Sequence, residues 1–327
     1  MERRAREREL PRKRAREWIL CQNSRGFDFM CCKGEHVSVS ELEGDPWIDQ
    51  YYLGKTNIPW YPKSVFHVSK VCHVTGDSGL YSIFNKGGFQ KPHFLDDNFL
   101  WWSLSVTKDE IADAEKNLLK KIFSAGQAHN QQLFLEDFTT SPAFQSKSRY
   151  GNFRFTFPLK ELLRLYATQF CTDSSLVFRI FDTEIYKKEI LYTVLVHPQH
   201  VARYDRYPRL PCGDSAVCGY SQGNISWRCQ APSDNLRHQL EVNKEECRVH
   251  AKPLQSEVYY VWDHVAVAFH MEPGWILRVD PNQLSSSVSV CELSEINLLK
   301  EPDTALSESD AHAVLENVRR QYGLGLV

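Results

Sequence analysis

The stretch CHVTGDSGLYSIFNKGGF, residues 72–89, decides how the chain is read. Val71, Cys72 and Val74 have strand character, and Gly76, Asp77, Ser78 and Gly79 make a dense turn cluster. Leu80, Ile83 and Phe84 then fall on one face of a helix, which Gly87 and Gly88 suit as a C-terminal stop. His73 and Thr75 therefore stand at the end of a strand, where side chains often border a cleft.

Working outward, residues 64–75 read as a strand and 99–106, FLWWSLSV, as a second. Thr107-Lys108-Asp109-Glu110 has the capping-box pattern, and Ile111, Ala114, Leu118, Leu119 and Ile122 follow at helical spacing up to Gly126. Strands are expected over 132–138 and 152–158; the latter alternates, so one face should be buried and one polar. A short helix over 160–166 precedes strands at 176–181 and 189–197. Strands outnumber helices after residue 130, which points to an α+β domain instead of a βαβ array.

Four segments result. Residues 1–25 form a basic tail expected to be disordered. Residues 26–202 form the core, led in by Trp47, Tyr51, Tyr52, Trp60 and Tyr61. Residues 203–256 are a polar insertion containing cysteines. Residues 257–327 complete the fold with strands at 258–269, 275–279 and 287–291 and a helix over 310–322, whose one face carries Ala311, Val314, Leu315 and Val318.

The 327 residues suffice for one large domain or two ordinary ones, and 42% hydrophobic content fills a core. A net charge of −2 gives no global pull toward nucleic acid or membrane, so electrostatic recognition has to be local. No apolar run approaches the roughly 20 residues that cross a bilayer, and MERRAREREL lacks the apolar core of a signal peptide. A cytoplasmic or nuclear location is expected, with the ten cysteines as thiols. The run Pro11-Arg12-Lys13-Arg14-Ala15-Arg16 is a candidate contact for import machinery or nucleic acid, or else a solvated tail.

The segment at His73 resembles the first strand and helix of the ADP-ribosyltransferase fold, as in poly(ADP-ribose) polymerases and RNA 2′-phosphotransferases. The matching residues are His73, Thr75, Leu80, Ile83, Gly88 and Phe89. The resemblance implies a split β-sheet core with flanking helices, and NAD as substrate. It gives His73 a hydrogen bond to an NAD ribose hydroxyl, with Thr75 beside it and the backbone of Val74 holding the nicotinamide amide. Val74 stands where polymerase-like members carry glycine.

Glu189, opening the strand EILYTVLVH, matches the family's late-strand glutamate, with Glu184 as the alternate. Its implied use is to hold the 2′-hydroxyl and stabilise positive charge on the ribose as nicotinamide leaves. The run Phe138-Thr139-Thr140-Ser141-Pro142 resembles the hydroxyl-rich strand of arginine-modifying transferases, which implies a cofactor contact for Ser141. Ser146-Lys147-Ser148-Arg149-Tyr150 resembles a polymerase stretch whose tyrosine stacks on nicotinamide, a role for Tyr150. A turn-rich loop with local Ser/Thr backbone bonds is the plain alternative.

Cys212, Cys218, Cys229, His238, Cys247 and His250 have the side chains of a zinc site but not its tight paired spacing, so no metal is expected there. Cys31 and Cys32 are adjacent and read as ordinary thiols. Two classes of function follow: an NAD-dependent ADP-ribosyltransferase using His73 and Glu189 on a protein or nucleic-acid acceptor, and a catalytically silent module of the same fold that binds protein or nucleic acid.

Overall fold

A computed structural model describes residues 16–22, 28–45, 48, 60–91, 98–123, 133–171, 175–258, 261–294 and 305–322. The tail up to residue 15, Trp47, Tyr51, Tyr52, Gly126 and Gln132 lie outside the described residues.

Strands β1 (Ile19–Gln22) and β2 (Asp28–Lys33) precede a short helix α1 (Val39–Glu43). Strands β3 (Val65–Val68) and β4 (Lys70–Thr75) lead into helix α2 (Asp77–Lys86), β5 (Gly88–Phe89) and β6 (Phe99–Leu104). Helix α3 (Lys108–Ile122), strand β7 (Phe153–Pro158) and helix α4 (Leu159–Phe170) follow, then the long strands β8 (Leu176–Tyr186) and β9 (Glu189–Pro198). The remainder is β10 (Cys218–Ser221), β11 (Asn224–Arg228), β12 (Leu236–Asn243), β13 (Arg248–Val258), β14 (Trp262–His270), β15 (Leu277–Arg278), α5 (Pro281–Ser287), β16 (Val288–Val290) and α6 (Glu308–Gln321). The chain is thus a mixed α+β protein built mostly of sheet. No helix among the described residues is long and apolar enough to cross a membrane.

Nine strands form the main sheet, in the order β1-β2-β8-β9-β14-β6-β4-β7-β16. Every neighbouring pair is antiparallel except β9 and β14. The seam between β4 and β6 is thin: only Val71–Leu104 and Cys72–Ser103 are paired. One face of the sheet carries Tyr192, Val194, Val267, Phe269 and Trp102 into the main core, and the other carries Leu195, Ala268 and Phe99 into a smaller cluster with Tyr204 and Tyr207.

The secure elements are those whose local signals agree. Thr107 accepts from the Glu110 amide while Glu110 Oε2 accepts from the Thr107 amide at 2.8 Å, closing the capping box of α3. Glu110 Oε1 also accepts from the Ser69 amide and hydroxyl, each at 2.7 Å. Ser69 is the single residue between β3 and β4, and its carbonyl accepts from the Leu159 amide at the start of α4. Helix α2 ends where Gly87 adopts φ +63°, the left-handed cap that glycine fills without strain.

Several elements depart from the sequence expectation. The strand expected over 64–75 is two strands in different sheets, because β3 pairs with β11 while β4 pairs with β6 and β7. The strand expected over 132–138 is a 3-10 turn at Leu135–Phe138, its entry held by the buried Glu115 carboxylate, which accepts from the Phe134 and Leu135 amides. Strand β7 keeps the expected alternation: Phe153, Phe155 and Phe157 are buried on one face, and the other carries Arg154, half-buried Thr156 and exposed Pro158, with the buried Arg154 satisfied by the Gln145 carbonyl at 2.7 Å. Asp77, Ser78 and Gly79 belong to helix α2, not to a turn, with Gly76 as its N-cap. The 203–256 stretch contains four strands, and Cys218, Ile225, Trp227 and Cys229 lie in the main core.

Candidate functional site

A polar group gathers where β9 and β14 begin side by side. Glu189 pairs with Trp262 across the parallel ladder, and period-two alternation sets Glu189, Trp262 and His264 on one face. Arg149, from the loop before β7, donates from Nη1 to Glu189 Oε2 at 2.6 Å. His264 Nε2 lies 3.5 Å from Glu189 Oε1, and its ring stacks on Trp262 at 4.8 Å between centroids. The Arg149 guanidinium stands 5.9 Å from the Trp262 ring. Burial holds the His264 imidazole down at about 4, so it is neutral at pH 7.

The opposite side of β14 fixes the loop that completes this group. Asp263 points into the core and accepts from Trp227 Nε1 at 3.0 Å, from the Ala231 amide at 2.6 Å and from the Gln230 amide at 3.0 Å. Burial nevertheless pushes its carboxyl up to about 6. This grip carries residues 231–234 against the hydroxyl-rich run: the Ser141 amide donates to the Pro232 carbonyl, and Thr140 hydrogen-bonds Ser233. Ser141 Oγ is buried, and neither it nor His264 Nδ1 has a hydrogen-bond partner among the described residues.

Three expected site residues thus border one region. Ser141 lies under the 231–234 loop, Glu189 is held by Arg149, and Tyr150, 46% exposed, follows Arg149. Glu184 sits elsewhere on that face, opposite Cys31 and Leu191.

His73, Val74 and Thr75 occupy the end of β4. His73 Nδ1 donates to the Trp101 carbonyl at 2.9 Å, which leaves Nε2 as the unprotonated nitrogen of a neutral ring; burial lowers its pKa. The ring packs edge-on to Phe89 and against Trp102. Val74 pairs with Arg154 and Thr75 with Phe153. Thr75 is closely clasped: a Cβ on Gly79 would meet its Oγ1 at 1.8 Å, and a Cβ on Gly151 would meet its carbonyl oxygen at 2.2 Å.

The structure does not bring His73 and Glu189 together. Thr193, Ala266, Ser103 and Cys72 share one level across β9, β14, β6 and β4. Glu189 lies four residues before that level and three strands away from β4, on the face that Cys72 uses. His73 lies one residue past it on the other face, beside Trp102. Strand spacing and rise put them on the order of 20 Å apart. The loop through Arg149 and Gly151 is the element that touches both ends.

His264 and Trp262 were not singled out in the sequence, although two aromatic rings two residues apart on a strand signal a shared face. Asp263 was missed because its partners lie at residues 227–231. Of the thiols considered for zinc, Cys218 and Cys229 are core residues, Cys229 Sγ lying 3.5 Å from Asp263 Oδ1, while Cys212 is exposed. Comparison of the chain with family models, curated proteins and solved structures finds no match.

Proposed function

We infer that the chain is an ADP-ribosyltransferase-like module that does not transfer ADP-ribose and acts by binding a protein or nucleic-acid partner. One observation carries this reading: His73 and Glu189 look to opposite faces of the main sheet, and the Glu189 carboxylate is already engaged by Arg149 and His264. A transferase needs the ribose-positioning group and the charge-stabilising carboxylate around one reacting carbon. Val74, in the place where polymerase-like members carry glycine, argues the same way.

A transferase reading keeps some support from the seam at β4. Pairing with β6 stops at Cys72, and His73 keeps Nε2 free of the Trp101 bond. Labelled NAD incubated with purified wild type, His73→Ala and Glu189→Gln separates the two readings. The silent module gives no label transfer and no NAD-dependent rise in melting temperature. Transfer by wild type that disappears in both variants would establish the enzyme instead.

A further inference from the structure

On the face that carries Glu189, a second polar group lies toward the β1 edge of the sheet. Cys31 of β2 is directly opposite Glu184 of β8, and Lys33 is opposite Asp182. The Cys31 sulfur and one carboxylate oxygen each of Asp182 and Glu184 lie within 4.8 Å of one another. A bulge between Ile180 and Asp182 re-aims β8 at this point. Cys32, the next residue, faces the main core instead, so only one of the two adjacent thiols takes part.

Three donors alone make no site. The independent observation comes from the next strand. Thr193 of β9 is directly opposite Asp182, hence on the same face, and is fully buried. Its Oγ1 has no hydrogen-bond partner among the described residues, and neither has Asp182 Oδ1 on an equally buried carboxylate. Two buried oxygens without partners, on paired residues of one face, are a desolvation penalty that a ligand placed between them would remove.

We propose that Cys31, Asp182 and Glu184 bind a divalent transition-metal ion of the zinc class, with a water in the fourth position held by the Thr193 hydroxyl. One thiolate with two carboxylates suits a borderline cation better than magnesium or calcium, which take oxygen donors alone. Binding exchanges the Cys31 S–H bond for a sulfur–metal bond and releases one proton to solvent. Lys33 Nζ, 2.7 Å from Asp182 Oδ2 and over the Phe181 ring, supplies positive charge where the metal's charge belongs. Its side chain is 40% exposed, so it has solvent to swing into when the ion enters.

The test is equilibrium dialysis of the full chain against Zn2+, with Co2+ as spectroscopic probe, for wild type, Cys31→Ser, Asp182→Asn, Glu184→Gln and Lys33→Met. One tight Zn2+ per chain is expected, with a sulfur-to-cobalt charge-transfer band that Cys31→Ser abolishes. Asp182→Asn and Glu184→Gln should weaken binding by at least about 10–100-fold. Lys33→Met should tighten it, because the competing ammonium is gone, and should gain more in melting temperature from Zn2+ than wild type does. That last arm stands even if Asp182→Asn fails to fold. No tight Zn2+ in wild type, a cobalt band that survives Cys31→Ser, or weaker binding in Lys33→Met would each overturn the proposal.

Discussion

Arg149 Nη1 and Glu189 Oε2 meet at 2.6 Å, joining the loop before β7 to the first residue of β9 with both side chains largely buried. The pair spends the carboxylate that the family resemblance would assign to ribose chemistry on holding a loop in place. Removing one partner of a buried pair leaves the other charge without compensation. Glu189→Leu and Arg149→Met should each lower stability by roughly 3 kcal/mol. The double variant Arg149→Met/Glu189→Leu should lose clearly less than the sum, because neither charge is then stranded. Urea unfolding of the three proteins reads this directly, and additive losses would show that the pair is not coupled.

Thr75 gives a test that separates side-chain from backbone crowding. Gly79→Ala places a methyl on the Thr75 hydroxyl, and Gly151→Ala places one on the Thr75 carbonyl at a glycine with φ +143°. Each should cost on the order of 2–4 kcal/mol. Adding Thr75→Ala should restore most of the loss in Gly79→Ala and none of it in Gly151→Ala. Melting temperatures of the four variants decide the matter.

Stability should decline on acidification below pH 6.5. Burial lowers His36 and His264 from 6.5 to about 4, so between those values the unfolded chain binds protons that the folded chain refuses. Their contribution is full above 6.5 and is lost as pH falls toward 4. Asp263 works in the other direction: raised from 3.8 to about 6, its contribution is full below 3.8 and is lost as pH rises through 6. Two imidazoles outweigh one carboxyl, so unfolding free energy should be lower at pH 5 than at pH 7. His264→Gln should make that pH dependence shallower.

Glu115 should behave as an internal cap. It is 3% exposed, and its Oε2 accepts from the Phe134 amide at 2.9 Å and the Leu135 amide at 2.7 Å. Glu115→Ala leaves two buried donors unpaired and should cost about 2–4 kcal/mol. Hydrogen exchange should show faster exchange at Phe134 and Leu135, with the α3 amides near Thr107 unchanged.

What was legible in the sequence was whatever short-range chemistry specifies. Thr107 and Glu110 announce a helix start three residues apart, and Gly87 announces a helix end. The alternating run at 153–158 reads correctly as a strand. Its alternation also holds, but its place between β4 and β16 was not legible, because those strands come from residues 70–75 and 288–290. Leu135–Phe138 looked like a strand because the carboxylate that turns it lies twenty positions away. The candidate site follows the same rule. Glu189 and the hydroxyl run were recognisable one by one, but that Arg149 pairs with Glu189 while His73 faces the other way depends on strand order. Strand order is set by tertiary pairing, which no local window contains.

Ser69 has a further consequence. It is one residue long as a connection, yet it passes the chain from the three-stranded sheet to the nine-stranded one, anchors the start of α3 through Glu110 and receives the first amide of α4. A joint this short has no slack to let either sheet loosen while the other persists. The 203–256 region, which supplies β11 as partner to β3, is bound into the same act of melting. Denaturation followed at Trp227 in one layer and Trp102 in the other should therefore trace a single coincident transition, with excision of that region abolishing it.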